Sequence, residues 1–149
     1  MSASDSFEND ILLLLFNNTN IANIGDATGL RGSTAVGNSF VALHTADPGD
    51  AGNQSTSEAT YTGYARVAVV RSAAGWTVSG TAPTQVANAA AVTFGLCTAL
   101  TNTITHFSIG YETSGATKMI VSGALSANLS VSAGITPSFA IGQLKATCD

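Results

Sequence analysis

Charge is what this sequence has least of. Asp, Glu, Lys and Arg make up 9% of its 149 residues, against about 25% in an ordinary soluble domain, so the polar surface has to be built from Ser, Thr, Asn, Gln and Gly. Such a surface is weakly solvated, which fits a part of a larger assembly better than a free cytosolic enzyme. The five Lys and Arg residues never cluster and the net charge is -4, which argues against a nucleic-acid partner. Only two cysteines occur, Cys97 and Cys148. They stand far apart in no metal-ligand spacing and read as separate thiols of a protein made in a reducing cytoplasm, with a pairing between them left open. The apolar run ILLLLF, Ile11 to Phe16, is too short to span a bilayer. It follows the acidic segment SASDSFEND rather than a basic leader, so neither membrane insertion nor export is expected.

Motifs that carry chemistry are also missing. There is no GxSxG, no HExxH and no paired-acid motif. SGATKM, Ser114 to Met119, lacks the first glycine and the spacing of a phosphate-binding loop and reads as a hairpin. The N-x-S/T matches at Asn17, Asn53 and Asn128 carry little weight in a chain this rich in Ser, Thr and Asn. No cofactor or metal is expected.

What is present divides into a helical arm with a loop, residues 1–38, and a β-rich body, residues 39–149. Asp5 with Glu8 three residues on forms a capping box, predicting a helix from Ser6 to Phe16 with Phe7, Ile11, Leu14 and Leu15 on one face. Leu12, Leu13 and Phe16 extend the apolar surface around the other side, so the helix packs on more than one neighbour, in its own core or on a partner. Residues 17–38, rich in Asn, Gly, Thr and Ser, predict a long ordered loop. From Phe40 on, about eight strands follow: SFVALHT, TYTGYARVAVVR, GWTV, NAAAVTF, THFSIGY, KMIVSGAL, NLSVS and SFAIGQLKAT. Short spacing and no helical crossovers predict an all-β, single β-sandwich or jelly-roll domain of antiparallel strands with a short N-terminal helical arm. In the last segment the alternation slips near Gly142, as at a bulge.

The stretch FVALHTADPGDAG holds one of two histidines and two aspartates. His44 shares a strand face with Phe40 and Ala42, and Asp47-Pro48-Gly49 supplies a β-turn. A catalytic role would need a nucleophile and an orienting acid to converge on His44 from elsewhere. Asp47 and Asp50 lack the ligand alternation of a calcium loop. His106 is isolated on a strand face.

The succession LHTADPGDAG, EATYTGYARVAV, GWTVSG, ANAAAVTF, ITHFSIG, SGAL and VSAGITPSFAIGQLKAT resembles small virion proteins of tailed bacteriophages, many of them called tail fibre proteins. The likeness runs from about Phe40 to Thr147 and implies a non-enzymatic structural protein of the particle. A fibre shaft needs heptads, collagen-like triplets or β-helical repeats, and none occurs. A β domain with an apolar arm and negative charge therefore reads first as a capsid decoration, or cement, protein on the outer surface of the head, with the major capsid protein and its own copies, as dimer or trimer, for partners. Phe7, Ile11, Leu12, Leu15 and Phe16 are then the candidate anchor, and cutting the chain before Asn17 is expected to release it while the β body stays folded. The alternative is a tail fibre or tail-tip module that meets other tail proteins or a host-surface glycan, with Tyr61, Tyr64 and Trp76 as aromatic platforms.

Overall fold

The computed structural model describes residues 3–22, 24–25, 29–80 and 84–148. The chain is all-β, in the sandwich class, with antiparallel sheets and one short N-terminal helix. Its elements are α1 (Asp5–Asn17), β1 (Asn38–His44), β2 (Val67–Val70), β3 (Trp76–Ser79), β4 (Thr84–Asn88), β5 (Val92–Thr93), β6 (Asn102–Gly110), β7 (Met119–Val131), β8 (Ser138–Phe139) and β9 (Lys145–Cys148). They gather into two compact units that alternate along the chain: residues 1–38, 70–91 and 140–149 form one, and residues 39–69 and 92–139 form the other.

In the first unit a three-stranded sheet, ordered β3-β4-β9, carries α1. Glu8, Leu12 and Phe16, spaced four apart on one helix face, are buried. The Phe16 ring meets the edge of Trp76 at a centroid distance of 5.1 Å, and neither side chain retains exposed surface. The helix starts one residue earlier than the capping-box pattern predicts. Ser4 is the N-cap, in an extended conformation with no side-chain capping bond, and Asp5 stands inside the first turn. With Ser4 as the N-cap, Glu8 falls one residue past the N3 position that such a box requires.

The other end of the helix is closed by a residue from far along the chain. Arg71 donates from Nε to the Leu15 carbonyl at 2.6 Å, from Nη2 to Leu14 at 2.9 Å and from Nη1 to Val36 at 3.3 Å. These helix carbonyls belong to the last turn, which has no intrahelical donors, and a guanidinium there also opposes the negative pole of the helix. Asn18, in the left-handed region at φ 56°, ends the helix, and its carboxamide exchanges hydrogen bonds with the main chain of Ser33. An isolated bridge between Ile21 and Leu30 continues the tie across the loop, of which residues 23 and 26–28 lie outside the described residues.

The second unit is built on a four-stranded sheet ordered β2-β1-β6-β7, with the β5-β8 pair beside it in sequence. β1 is the central strand, and every residue from Val41 to His44 is buried, so both of its faces are covered. On one face Val41 and Leu43 stand opposite Ile109 and Phe107, and on the other Ala42 and His44 stand opposite Ser108 and His106.

Several strands differ from expectation. TYTGYARVAVVR supplies only Val67–Val70, because residues 54–66 are drawn into turns and side-chain bonds. β4 was hidden in the sequence: Thr84 and Asn88 occupy buried positions alternating with Val86, so the apolar period is broken by polar types that are satisfied internally. NAAAVTF contributes two residues. KMIVSGAL and NLSVS are one strand, β7, whose register against β6 jumps between Ile104 opposite Leu129 and His106 opposite Ala124. SFAIGQLKAT splits into β8 and β9 in different sheets, and the slip near Gly142 is a turn, with Gly142 at φ 75° where a side chain would be strained.

Because α1 supplies core to its unit, cutting the chain before Asn17 uncovers Trp76. Emission from this single tryptophan is expected to move to longer wavelength in native buffer, with a lower Tm. Unchanged emission would show that the helix is dispensable to the core.

Candidate functional site

The second unit concentrates its buried polar groups around Arg66. This guanidinium, with 1% of its side chain exposed, grips Glu58 side-on: Nε donates to Oε1 at 2.7 Å and Nη2 to Oε2 at 2.8 Å. Its remaining donors reach the Gln54 Oε1 (3.3 Å), the Thr117 hydroxyl (3.3 Å), the Ser55 hydroxyl (3.2 Å) and the carbonyls of Glu112 (3.2 Å) and Gly115 (2.8 Å). One side chain thus uses its fork of donors to fasten the 53–58 turn to the 111–118 hairpin. The Glu58 hydrogen bonds raise the Arg66 pKa against the opposing effect of burial.

Neighbouring groups complete the network. Tyr64 accepts from the Leu43 N–H at 3.1 Å and donates to Glu58 Oε1 at 2.9 Å, and desolvation raises its pKa. Its ring stacks on Phe94 and meets the edge of Tyr61. Gln54 donates to the Phe40 carbonyl at 2.9 Å. Beside it β6 ends in Gly110, where a Cβ would run into the Gln54 carboxamide and the Lys118 carbonyl.

His44 lies next along β1 and is fully buried. The Thr56 carbonyl stands 2.8 Å from Nδ1 and can only accept, so Nδ1 carries the proton. Nε2 is then the acceptor for the Ser108 hydroxyl, also at 2.8 Å. A hydroxyl, an imidazole and an orienting acceptor do converge, as a nucleophile and base would. Ser108, however, is as fully buried as His44, and the orienting group is a carbonyl instead of a carboxylate. The contact joins β1, β6 and the 53–58 turn. Desolvation lowers the His44 pKa, against smaller opposing contributions from the Thr56 bond and Glu58.

The other sequence candidates are dispersed. Asp47 Oδ1 accepts from the Gly49 N–H at 2.9 Å, so this reversal is made by a side chain, with Pro48 buried behind it and Gly49 at φ 66°. Asp50 is exposed, and among the described residues no group of three His, Cys, Asp or Glu is placed to hold a metal. His106 is half-buried and bonded to the Thr105 hydroxyl. Cys97 is a buried free thiol directed at the Ala99 and Leu100 carbonyls, and the Cys148 side chain lies outside the described residues. In the first unit, Leu12 and Phe16 are core, Ile11 and Leu15 are half-buried and Phe7 is 42% exposed. The supposed aromatic platform is internal: Trp76 and Tyr61 are buried, and Tyr64 is half-buried with its hydroxyl engaged. Burial pushes the Tyr61 pKa up to about 12.

A family model described as podophage GP4 fiber I protein gp80 matches residues 2–147, nearly the whole chain. The chain belongs to that family. It is accordingly a phage structural protein, and the name fits the tail-fibre alternative better than capsid decoration. No curated protein matches the chain. None of the motifs tested in the sequence picked out Arg66, Glu58, Gln54 or Ser108 as site residues. The available signal was an arginine inside an apolar strand run in a chain with five basic residues, since such a charge needs an internal partner.

Removing either partner of the Arg66–Glu58 pair strands the other inside the unit. Arg66→Met or Glu58→Gln is expected to cost about 3–5 kcal/mol, read from urea unfolding, while the double variant should lose less than the sum of the two. Additive losses would show that the pair is not coupled.

His44 gives a pH dependence of defined sign. Its folded pKa lies below its ordinary 6.5, so the unfolded chain binds the proton first and the contribution to stability is present above that value. It is lost as pH falls through 6.5 toward the folded pKa. In His44→Gln, the wild-type part of that decline should vanish from the stability–pH curve, and an unchanged curve would assign the decline elsewhere.

Proposed function

We propose that the protein is a non-enzymatic globular module of a podophage tail fibre, joined to other tail proteins, and not a cement protein on the head. The observation that carries this reading is the match to a fibre-protein family over residues 2–147 in a chain that has no shaft repeat. A fibre protein without heptads, triplets or β-helical repeats is the part of the fibre that is not shaft, where it attaches or where it ends.

The physical properties support a binding role for rigid loops. The 53–58 turn and the 111–118 hairpin, held by Arg66, are preorganised, so contact with a partner would not require ordering them first. Their outer residues include exposed Ser55, Ser57, Thr113 and Ser114, which offer hydrogen bonds without charge. With Trp76 and Tyr61 inside, recognition of a host-surface glycan would rest on these polar groups and on Tyr111, the first residue of the hairpin, which is 45% exposed. Burial of the Ser108–His44 pair supports the non-enzymatic reading, since a substrate would need access to the hydroxyl.

Quantitative mass spectrometry of purified particles, divided into tail-less heads and isolated tails, tests the proposal. The chain is expected to travel with tails in a few copies per particle. Recovery on heads at a copy number comparable with the major capsid protein would overturn it in favour of decoration.

A further inference from the structure

His44 is fully buried, yet the chain that lies over its ring is at the surface. Thr56, whose carbonyl accepts from Nδ1, is half-buried, and its neighbours Ser55 and Ser57 are exposed. This three-residue tip is anchored on both sides. Before it, the Gln54 N–H donates to the Thr117 carbonyl at 2.9 Å and the Gln54 side chain to the Phe40 carbonyl at 2.9 Å. After it, Glu58 is gripped by Arg66, and the Ala59 N–H donates to the Leu43 carbonyl at 2.8 Å. Between these anchors the tip meets the rest of the unit through the Ser55 hydroxyl on Arg66, the Thr56 carbonyl on His44, and the Ser57 carbonyl, which accepts from the Thr45 N–H at 2.8 Å. Ser57 stands at φ 52°, a left-handed conformation that L residues adopt at a cost, so bonds to outside groups hold the tip in place.

Among those groups His44 is the one that changes charge near neutral pH. Its Nε2 accepts from the Ser108 hydroxyl in the neutral state. A proton there makes Nε2 a donor facing a donor, inside a site without water to solvate the charge. We propose that Ser55–Ser57 is a lid over His44, hinged at Gln54 and Glu58, which closes on the neutral imidazole and opens when the ring takes a proton.

The charged and titratable groups around the ring, among the described residues, are Glu58 beyond the lid, Arg66 ahead of β2 and His106 opposite it on β6. Desolvation is the largest influence and holds the closed-form pKa below the ordinary 6.5, with Arg66 and His106 acting the same way and the Thr56 bond and Glu58 opposing. A ring opened to water titrates at its ordinary value, so the open form binds the proton first. Its share therefore grows as pH falls below 6.5, by up to about tenfold per pH unit, until the closed form is protonated too. The Ser55 and Ser57 hydroxyls are then fixed at neutral pH and released in mild acid, wherever on the particle the chain resides.

Amide hydrogen exchange of the full chain, followed residue by residue by NMR from about pH 7.5 to about pH 5 and corrected for the intrinsic pH dependence of exchange, tests the lid. The Thr45 N–H, whose acceptor Ser57 leaves with the lid, is expected to lose protection by up to about tenfold per unit below 6.5. The Gln54 and Ala59 N–H groups at the anchors should keep theirs. His44→Gln retains a donor for Thr56 and an acceptor for Ser108 without a titrating group, so the Thr45 protection should no longer vary over this range. Thr45 protection that is constant with pH in the wild type, a loss shared equally by Gln54, Thr45 and Ala59, or a loss that persists in His44→Gln would each overturn the proposal. Should the variant not fold, the comparison of Thr45 with the two anchor amides in the wild type decides alone.

Discussion

The bidentate ion pair between Arg66 and Glu58 is the constraint on which the second unit depends. A guanidinium with 1% exposure is tolerable only where its donors are met, and here a carboxylate, two carbonyls, two hydroxyls and a carboxamide meet them. Those acceptors lie on segments with little regular structure, residues 54–58 and 112–117, so the charge substitutes for the sheet ladder that these segments lack. Tyr64 and Gln54 extend the same network to the main chain of β1 at Leu43 and Phe40. The loops are consequently fixed to the central strand, and their geometry is inherited by any surface they present. Hydrophobic replacement of such a pair often keeps stability, but it would not reproduce five directional contacts to two loops.

The first unit solves a different problem with the same residue type. Its helix has no basic residue in its last turn, and Arg71 reaches its carbonyls from the chain after β2. Together with the Phe16–Trp76 contact this makes the helix part of a core and not a free arm. Phe7, Ile11 and Leu15 remain on the accessible side, which limits what a partner could take from the helix to that stripe. Two of the five basic residues are engaged internally, and so are the acids Glu8 and Glu58, so the charge balance of the surface stays that of the composition.

The all-β class and the helix were legible because both rest on periodic apolar patterns, the signal sequence carries most directly. THFSIGY and SFVALHT fell where predicted, with Ile109 and Phe107 facing Val41 and Leu43. Strands failed where polar residues were buried. Thr84 and Asn88 look like surface residues until the Asn88 carboxamide is seen to bond Ala90, Ala140 and Leu144. The site was less legible still, because Arg66 and its hairpin acceptors are separated by up to 51 residues and no local pattern encodes their meeting. The aromatic platform was misplaced for a related reason: a sequence shows that Trp76 is aromatic, not that Phe16 covers it.

A chain with 9% charged residues must bind through something other than ion pairs. Fibre components work in media of varying salt, where surface charges are screened over about 10 Å at 0.1 M, while hydrogen bonds from Ser, Thr and main-chain groups are not screened in that way. The scarcity of charge, which looks at first like a defect of solubility, is then consistent with a surface that binds through hydrogen bonds. Polar loops fixed by Arg66 offer such bonds from side chains held in place before contact.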